Sequence, residues 1–300
     1  MSKMLGGRSM YSRRQQNTLS QSVTVDGYGY WSGRDVHVEF RPAAANTGIV
    51  FVRGDLSPAV RIPAVIANRV ETPRRTTLRV PKGSVEMVEH IMAALRGLEI
   101  DNCEVWVDAP EMPGCDGSSL PFVAALDSVG KTQQEAGRSQ LLVREISRMG
   151  DDDHWIEARP ATSSGLSVKY RLDYGRDNPV GRQTLTLNVT PDSFRRELAP
   201  SRTFVLKAEA DWLQSQGIAK RPTTKDLLIF DAEGPIENEL RYPDECVRHK
   251  VLDLVGDFAL AGCDLIGHFV AHRSGHRLNA ELLRVLMAEG EMVEGLRRSA

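Results

Sequence analysis

Within CVRHKVLDLVGDFALA, residues 246–261, His249, Asp253 and Asp257 recur at four-residue spacing. At 100° per residue they stack on one side of a helix, while Val251, Leu252, Leu254, Val255, Phe258 and Ala259 gather on the other. Helical side chains four apart have Cβ atoms about 5–6 Å from each other. His249 and Asp253 can therefore reach one zinc ion at about 2.0–2.2 Å. Asp257, one turn further on, can hold a neighbouring side chain by hydrogen bond. The same stripe also fits the solvated face of an ordinary amphipathic helix, so a metal site needs ligands from elsewhere in the chain.

A second helix can supply them. Ser84 is a candidate N-cap, and Val88, Ile91, Met92 and Leu95 follow the i, i+3, i+4, i+7 rule up to Gly97. Glu89 and His90 lie on this helix. If the two helices face each other, His90, His249 and Asp253 make three zinc ligands, and the fourth position is left for water, as in catalytic rather than structural zinc sites. Glu89, beside a ligand but at a different azimuth, can serve as general base. His276, in the turn Ser-Gly-His, is a candidate general acid of the kind that the leaving nitrogen of an amide requires. His37, His154, His268 and His272 read as structural.

The elements that must position these groups come from a chain of 300 residues, 41% hydrophobic, with a net charge of −2. That length suits about two domains with their own cores. The charge balance leaves no nucleic-acid footprint. The basic amino terminus lacks the apolar segment of a secretory signal, and no run of about 18 apolar residues occurs, so no transmembrane segment is expected. Four cysteines without CxxC spacing point to free thiols and a cytoplasmic location.

Residues 1–16 read as a disordered basic tail. Residues 17–130 read as an N-terminal α+β domain, with strands near 22–25, 36–40, 48–53 and 103–108 and a short helix ending at Val129. The polar stretch within 131–140 reads as a linker. Residues 141–300 read as a second α+β domain, with strands near 141–146, 155–158, 166–172, 184–189, 226–230 and 265–271, helical segments near 191–198 and 207–216, the long helix, and a last helix from about Leu278. In each half several strands lead to a helix and one more strand. The expected fold is therefore two similar α+β domains in layers, with the principal helices packed between the sheets.

The blocks MVEHIMAALRGLEIDN, APEMPGCDGSSLPF, Arg202-Thr203-Phe204, RHKVLDLVGD and HRSGHRLN, in this order, resemble the zinc-dependent UDP-3-O-acyl-N-acetylglucosamine deacetylases. The resemblance runs from about Arg14 to the last helix. It implies hydrolytic removal of acetate from a UDP-linked acylated N-acetylglucosamine, with water as co-substrate, at the committed step of lipid A synthesis. It implies two similar α+β domains with the site between them, one Zn2+ per chain on His90, His249 and Asp253, and a monomer. By the same resemblance Glu89 is the base, His276 the acid oriented by Asp257, Thr203 a holder of the oxyanion, Lys250 a positive charge near the substrate carbonyl or diphosphate, and Phe204 a surface for the sugar. The segment 172–183 resembles the family's acyl passage.

Other readings are a zinc deacetylase of another nucleotide or acyl-amino sugar, and a catalytically silent nucleotide-sugar or lipid-precursor binder. The latter would be marked by loss of the base or the acid, and both are present. Departures from the family pattern fall outside the metal constellation. Tyr30 and Trp31 stand where Leu-His is usual, Arg75 stands in place of a cysteine, and AKRPTTKD replaces a glycine-rich region. These bear on substrate contacts rather than on the chemistry.

Overall fold

A computed structural model describes residues 13–161 and 164–293; most of the expected basic tail and the last seven residues lie outside that range. The protein is a mixed α+β structure in several sheets. A five-stranded sheet in the first half has the spatial order Val23–Tyr28, Asp35–Pro42, Cys103–Val107, Ile49–Arg53, Val60–Pro63. Its strand Asp35–Pro42 alternates buried Val36, Val38 and Phe40 with more exposed Asp35, His37 and Glu39, the period-two pattern of a sheet with one covered face.

The seven-stranded sheet of the second half is built on Asp264–His272. That strand runs parallel to Gln140–Leu142 and Leu166–Asp173 and antiparallel to Trp155–Arg159. It is buried almost throughout, as a central strand reads when both faces are covered.

The helices are α1 (Glu89–Gly97), α2 (Leu120–Val129), the single turn α3 (Pro191–Ser193), α4 (Lys207–Ser215), α5 (Glu245–Phe258) and α6 (His276–Glu289). Helix α2 packs against Val23–Tyr28, α5 against the hairpin of Leu166–Asp173 and Arg182–Val189, and α6 against Ser147–Gly150 and Trp155–Arg159. Helices α1 and α5 pack on each other. They come unusually close because residue 256 is glycine: a Cβ there would lie 2.1 Å from the carbonyl oxygen of Glu89. The first turn of α1 thus rests directly on the backbone of α5. At the far end of α1, Arg96 meets Asp264 at 3.1 Å, and Arg14 bridges Asp101 (2.7 Å) and Asp264 (2.9 Å), so charges from both halves of the chain close around the base of the helix pair.

Several boundaries differ from the sequence reading. Ser84 is not an N-cap. It lies in the strand Gly83–Glu86, paired with Thr77–Val80, and the chain turns at Met87 with φ of 58° before α1 begins at Glu89. Residues 131–137 form a strand antiparallel to Gln15–Leu19, so Gln15 and Gln16 are ordered and the polar stretch is part of a ribbon. It is mostly exposed, and hence carries none of the apolar alternation that marks a strand. Helix α6 begins at His276 rather than near Leu278.

Candidate active site

The stripe His249, Asp253, Asp257 is buried rather than solvated, because α1 covers it. Glu89, His90, His249, Asp253 and Asp257 are each at most 5% exposed. One ligand atom from each of His90, His249 and Asp253 lies within 4.8 Å of the others. Asp253 Oδ1 is 3.3 Å from His249 Nε2 and 3.7 Å from His90 Nε2, and the two imidazole rings stand edge to face, 5.0 Å between centroids.

Their surroundings suit a metal. His249 Nδ1 lies 3.0 Å from the Ser201 carbonyl oxygen, so Nδ1–H donates there and Nε2 turns towards the cluster with its lone pair free, the usual outer support of a metal-bound histidine. Burial pushes the His249 imidazole down to about 4, which keeps it neutral, as a ligand must be. Burial alone would raise the Asp253 carboxyl, but His249, Lys250 and His90 outweigh it and hold the group well below the usual carboxylate range. Lys250 Nζ donates to Asp253 Oδ2 at 2.7 Å. Two imidazole nitrogens and one carboxylate oxygen, converging from two packed helices, form a donor set that fits zinc.

Two further groups face this cluster. Glu89 Oε2 accepts the Thr76 amide proton at 3.0 Å, and burial raises the Glu89 carboxyl above its ordinary value. His276 Nε2 is 4.0 Å from Glu89 Oε1. On its other edge, His276 Nδ1 lies 2.8 Å from Asp257 Oδ2. Burial would lower the His276 imidazolium, but the charge and hydrogen bond of Asp257, then Glu89 and Asp253, reverse this and raise it to about 9. Asp257 also accepts from Thr76 Oγ1 (2.6 Å) and Asn279 Nδ2 (2.8 Å).

Glu89, His90, His249, Asp253 and His276 border a single cavity of about 1310 Å³, together with Thr203, Phe204 and Lys250; Thr76, Asp257 and Asn279 do not line it, and Asp257 stands behind His276. The Thr203–Phe204 segment is set by its neighbour Arg202, whose backbone N–H and Nε both donate to Glu245 Oε1 at 2.9 Å in the first turn of α5. Phe204 stands edge to face with Tyr174 and Phe230, at 5.8 and 6.3 Å between centroids. His154 and His272, read from sequence as structural only, also line the cavity. Asp116 accepts from the Ser118 amide, closing a turn, and additionally from Arg241 at 2.8 Å.

A model of the family described as UDP-3-O-acyl N-acetylglycosamine deacetylase matches residues 16–288. The chain belongs to this family. It is 39% identical to the UDP-3-O-acyl-N-acetylglucosamine deacetylase of Haemophilus influenzae (strain 86-028NP) over 285 residues, 93% of this chain and 92% of that protein. It is 38% identical to the deacetylase of the same name from Actinobacillus succinogenes, over 93% and 92% of the two chains. A third such relative, from Syntrophotalea carbinolica, is 36% identical over 92% and 89%. The likeness therefore spans both halves of the deacetylase-family chain and every block that carries the site.

Sequence reasoning gave no role to Thr76 or Asn279. Asn279 lies three residues after His276, one helical turn on, a spacing visible once the helix is started at the histidine. Thr76 has no such signal, since its place depends on how a loop returns to α1. The departures from the family pattern also prove to be neighbours. The Arg75 guanidinium lies 4.4 Å over the Trp31 ring and donates to Glu86 at 2.6 Å. Tyr30 is buried, its ring filling the space a side chain at Gly114 would need, and its hydroxyl donates to the Asp226 carbonyl.

Proposed function

We propose that the chain hydrolyses the N-acetyl group of a UDP-linked 3-O-acyl-N-acetylglucosamine, with one zinc ion held by His90, His249 and Asp253, and so acts in lipid A biosynthesis. The observation that carries this reading is the convergence of those three buried ligands with a carboxylate, Glu89, and a histidine, His276, on one cavity in a chain of the deacetylase family. Zinc, when bound, lowers the pKa of a coordinated water and polarises the acetamide carbonyl. Glu89, whose burial makes it a stronger base than a solvated carboxylate, takes the proton of the attacking water. The Thr203 hydroxyl, on the cavity wall, donates to the oxyanion of the tetrahedral intermediate. His276, charged at neutral pH through Asp257, gives its proton to the departing amine.

Around this centre, Lys250 supplies positive charge to the substrate carbonyl or diphosphate. Phe204, with Tyr174, offers an aromatic surface to the sugar. The end of the strand Leu166–Asp173 and the turn after it, which contribute Leu172, Tyr174 and Gly175 to the cavity wall, are the region we assign to the acyl chain.

We read the fold as two related α+β units, 17–130 and 141–300, joined through 131–140, with the helix pair between their sheets. The support is that each half pairs a mixed sheet with helices packed on it; residues 294–300 lie outside the described range. All proposed metal ligands belong to one chain, in keeping with a monomer as the working unit. The four cysteines are free, in keeping with a reducing cytoplasm; among the described residues no helix is long and apolar enough to cross a membrane.

Mass spectrometry of UDP-3-O-acyl-N-acetylglucosamine incubated with the purified protein tests the reading. Loss of one acetyl group is expected, with the O-acyl chain retained. Turnover of UDP-N-acetylglucosamine lacking the acyl chain at an equal rate would instead favour a deacetylase for another nucleotide sugar.

A further inference from the structure

Thr76 touches both of the groups to which proton transfer is assigned. Its backbone N–H donates to Glu89 Oε2 at 3.0 Å, and its hydroxyl donates to Asp257 Oδ1 at 2.6 Å while lying 3.3 Å from His276 Nδ1. The residue is 1% exposed and belongs to none of the helices that carry the ligands. It sits one position before the strand Thr77–Val80, in a loop fixed from outside. On one side Arg75 stacks on Trp31 and bonds Glu86; on the other, Arg74 pairs with Glu209 of α4. The turn holding Trp31 is itself anchored, because the Trp31 and Ser32 amides donate to the two oxygens of Glu111 at 2.7 and 2.8 Å.

We propose that Thr76 is a positioning residue for the deacetylation, its amide fixing the carboxylate of Glu89 and its hydroxyl fixing the Asp257 carboxylate that orients His276, so that base and acid are held at a set separation. The inference rests on the roles of Glu89 and His276 given above. The geometry explains why one residue can do this. Among the described residues, the hydrogen-bond partners of the Asp257 carboxylate all donate to it: the Thr76 hydroxyl, His276 Nδ1 and Asn279 Nδ2. The carboxylate is therefore held at three points, and the imidazole bonded to it has one favoured orientation, with Nε2 towards Glu89. Removing the hydroxyl leaves Asp257 with two of its three supports and lets the Asp257–His276 pair turn together. Asn279 is in turn fixed by Ser274 Oγ at 2.8 Å, and among the described residues the Thr76 hydroxyl is the support of Asp257 that comes from the first half of the chain, where Glu89 also resides.

The test uses the zinc-loaded full chain. Thr76→Val keeps size and the backbone bond to Glu89 but lacks the hydroxyl. A hydrogen bond to a charged group is worth about 10- to 100-fold, so kcat should fall by about that factor with KM and zinc content held. Thr76→Ser, which restores the hydroxyl, should recover most of the loss. In a His276→Ala background, Thr76→Val should lower kcat little further, because its effect passes through the imidazole. An equal fall in both backgrounds, or a loss that appears in KM or zinc content and is not recovered by serine, would overturn the positioning role while leaving His276 as the acid. A His276→Ala enzyme with wild-type kcat would overturn the role of His276 itself, and this inference with it.

Discussion

Helix α5 buries nearly every residue, whereas α4, which borders the same cavity, buries none. The contrast separates two demands on the site. Metal ligands and proton donors must be held to a fraction of an ångström, and α5 meets this by packing against α1 through Gly256 and by the hydrogen bonds behind His249, Asp253 and Asp257. A wall that admits a long, flexible substrate needs no such precision. Helix α4 is tied to the rest by the partly exposed pair Arg74–Glu209 and by packing on the short strands Phe204–Leu206 and Leu228–Phe230, with Trp212 56% exposed, and an exposed pair of that kind contributes little to stability. The chemistry is thus rigid where helix meets helix, and the cover over it is loosely fastened.

Changes on α5 and α1 should therefore be severe and changes on α4 mild. His249→Ala should abolish both zinc retention and turnover, measured by metal analysis and acetate release; a variant that kept one tightly bound zinc would remove His249 from the site. Glu89→Gln should keep zinc and fold yet lose about 10²- to 10⁴-fold in kcat, so near-normal turnover there would reassign the base.

Gly256→Ala sharpens the comparison without touching a reacting group. The added Cβ meets backbone 2.1 Å away, so the helices must move apart, at a stability cost of about 1–3 kcal/mol read as a fall in Tm, together with a lower kcat. An unchanged Tm would mean that the close approach is not what holds the pair.

The pH profile should be bell-shaped. In its proposed role as acid His276 must be protonated, and its value is raised to about 9; bound zinc adds positive charge nearby and draws it down, so kcat should fall as pH rises through about 9 or somewhat below. The same shift bears on stability. Because the folded-state value exceeds the ordinary 6.5, the contribution of His276 is complete below about 6.5 and is lost as pH rises through about 9. A profile flat to high pH would place the acid elsewhere.

The smallest effect belongs to α4. Glu209→Gln should change Tm by little, about 0–1 kcal/mol in stability, and alter KM more than kcat. A collapse of kcat there would show that the cover is as closely coupled to the chemistry as α5.

How much of this was legible in sequence follows the same division. His249, Asp253 and Asp257 could be placed together because helical periodicity converts spacing into a shared face, and His90 and Glu89 because their helix has its own clear period. The five recognisable blocks supplied Thr203, Phe204 and Lys250, which no periodicity relates to the metal. Features set by loops were not legible. Thr76 reaches Asp257 only through the tertiary path of its loop, and Ser84 looked like a cap because its strand partner, Thr77–Val80, lies across a two-residue turn rather than in the local pattern. The ribbon strand Lys131–Gly137 exposes most of its side chains, so composition alone made it look like a linker. That Trp31 and Arg75 touch could not be seen from residues more than forty positions apart.

The most direct test of the account is a zinc titration of metal-free protein, with acetate release from UDP-3-O-acyl-N-acetylglucosamine followed at each point. The account predicts no turnover without metal and activity that rises to a plateau at one zinc per chain, with no such rise in His249→Ala. Full deacetylation by metal-free protein, or zinc binding without any acetate release by the wild type, would contradict it.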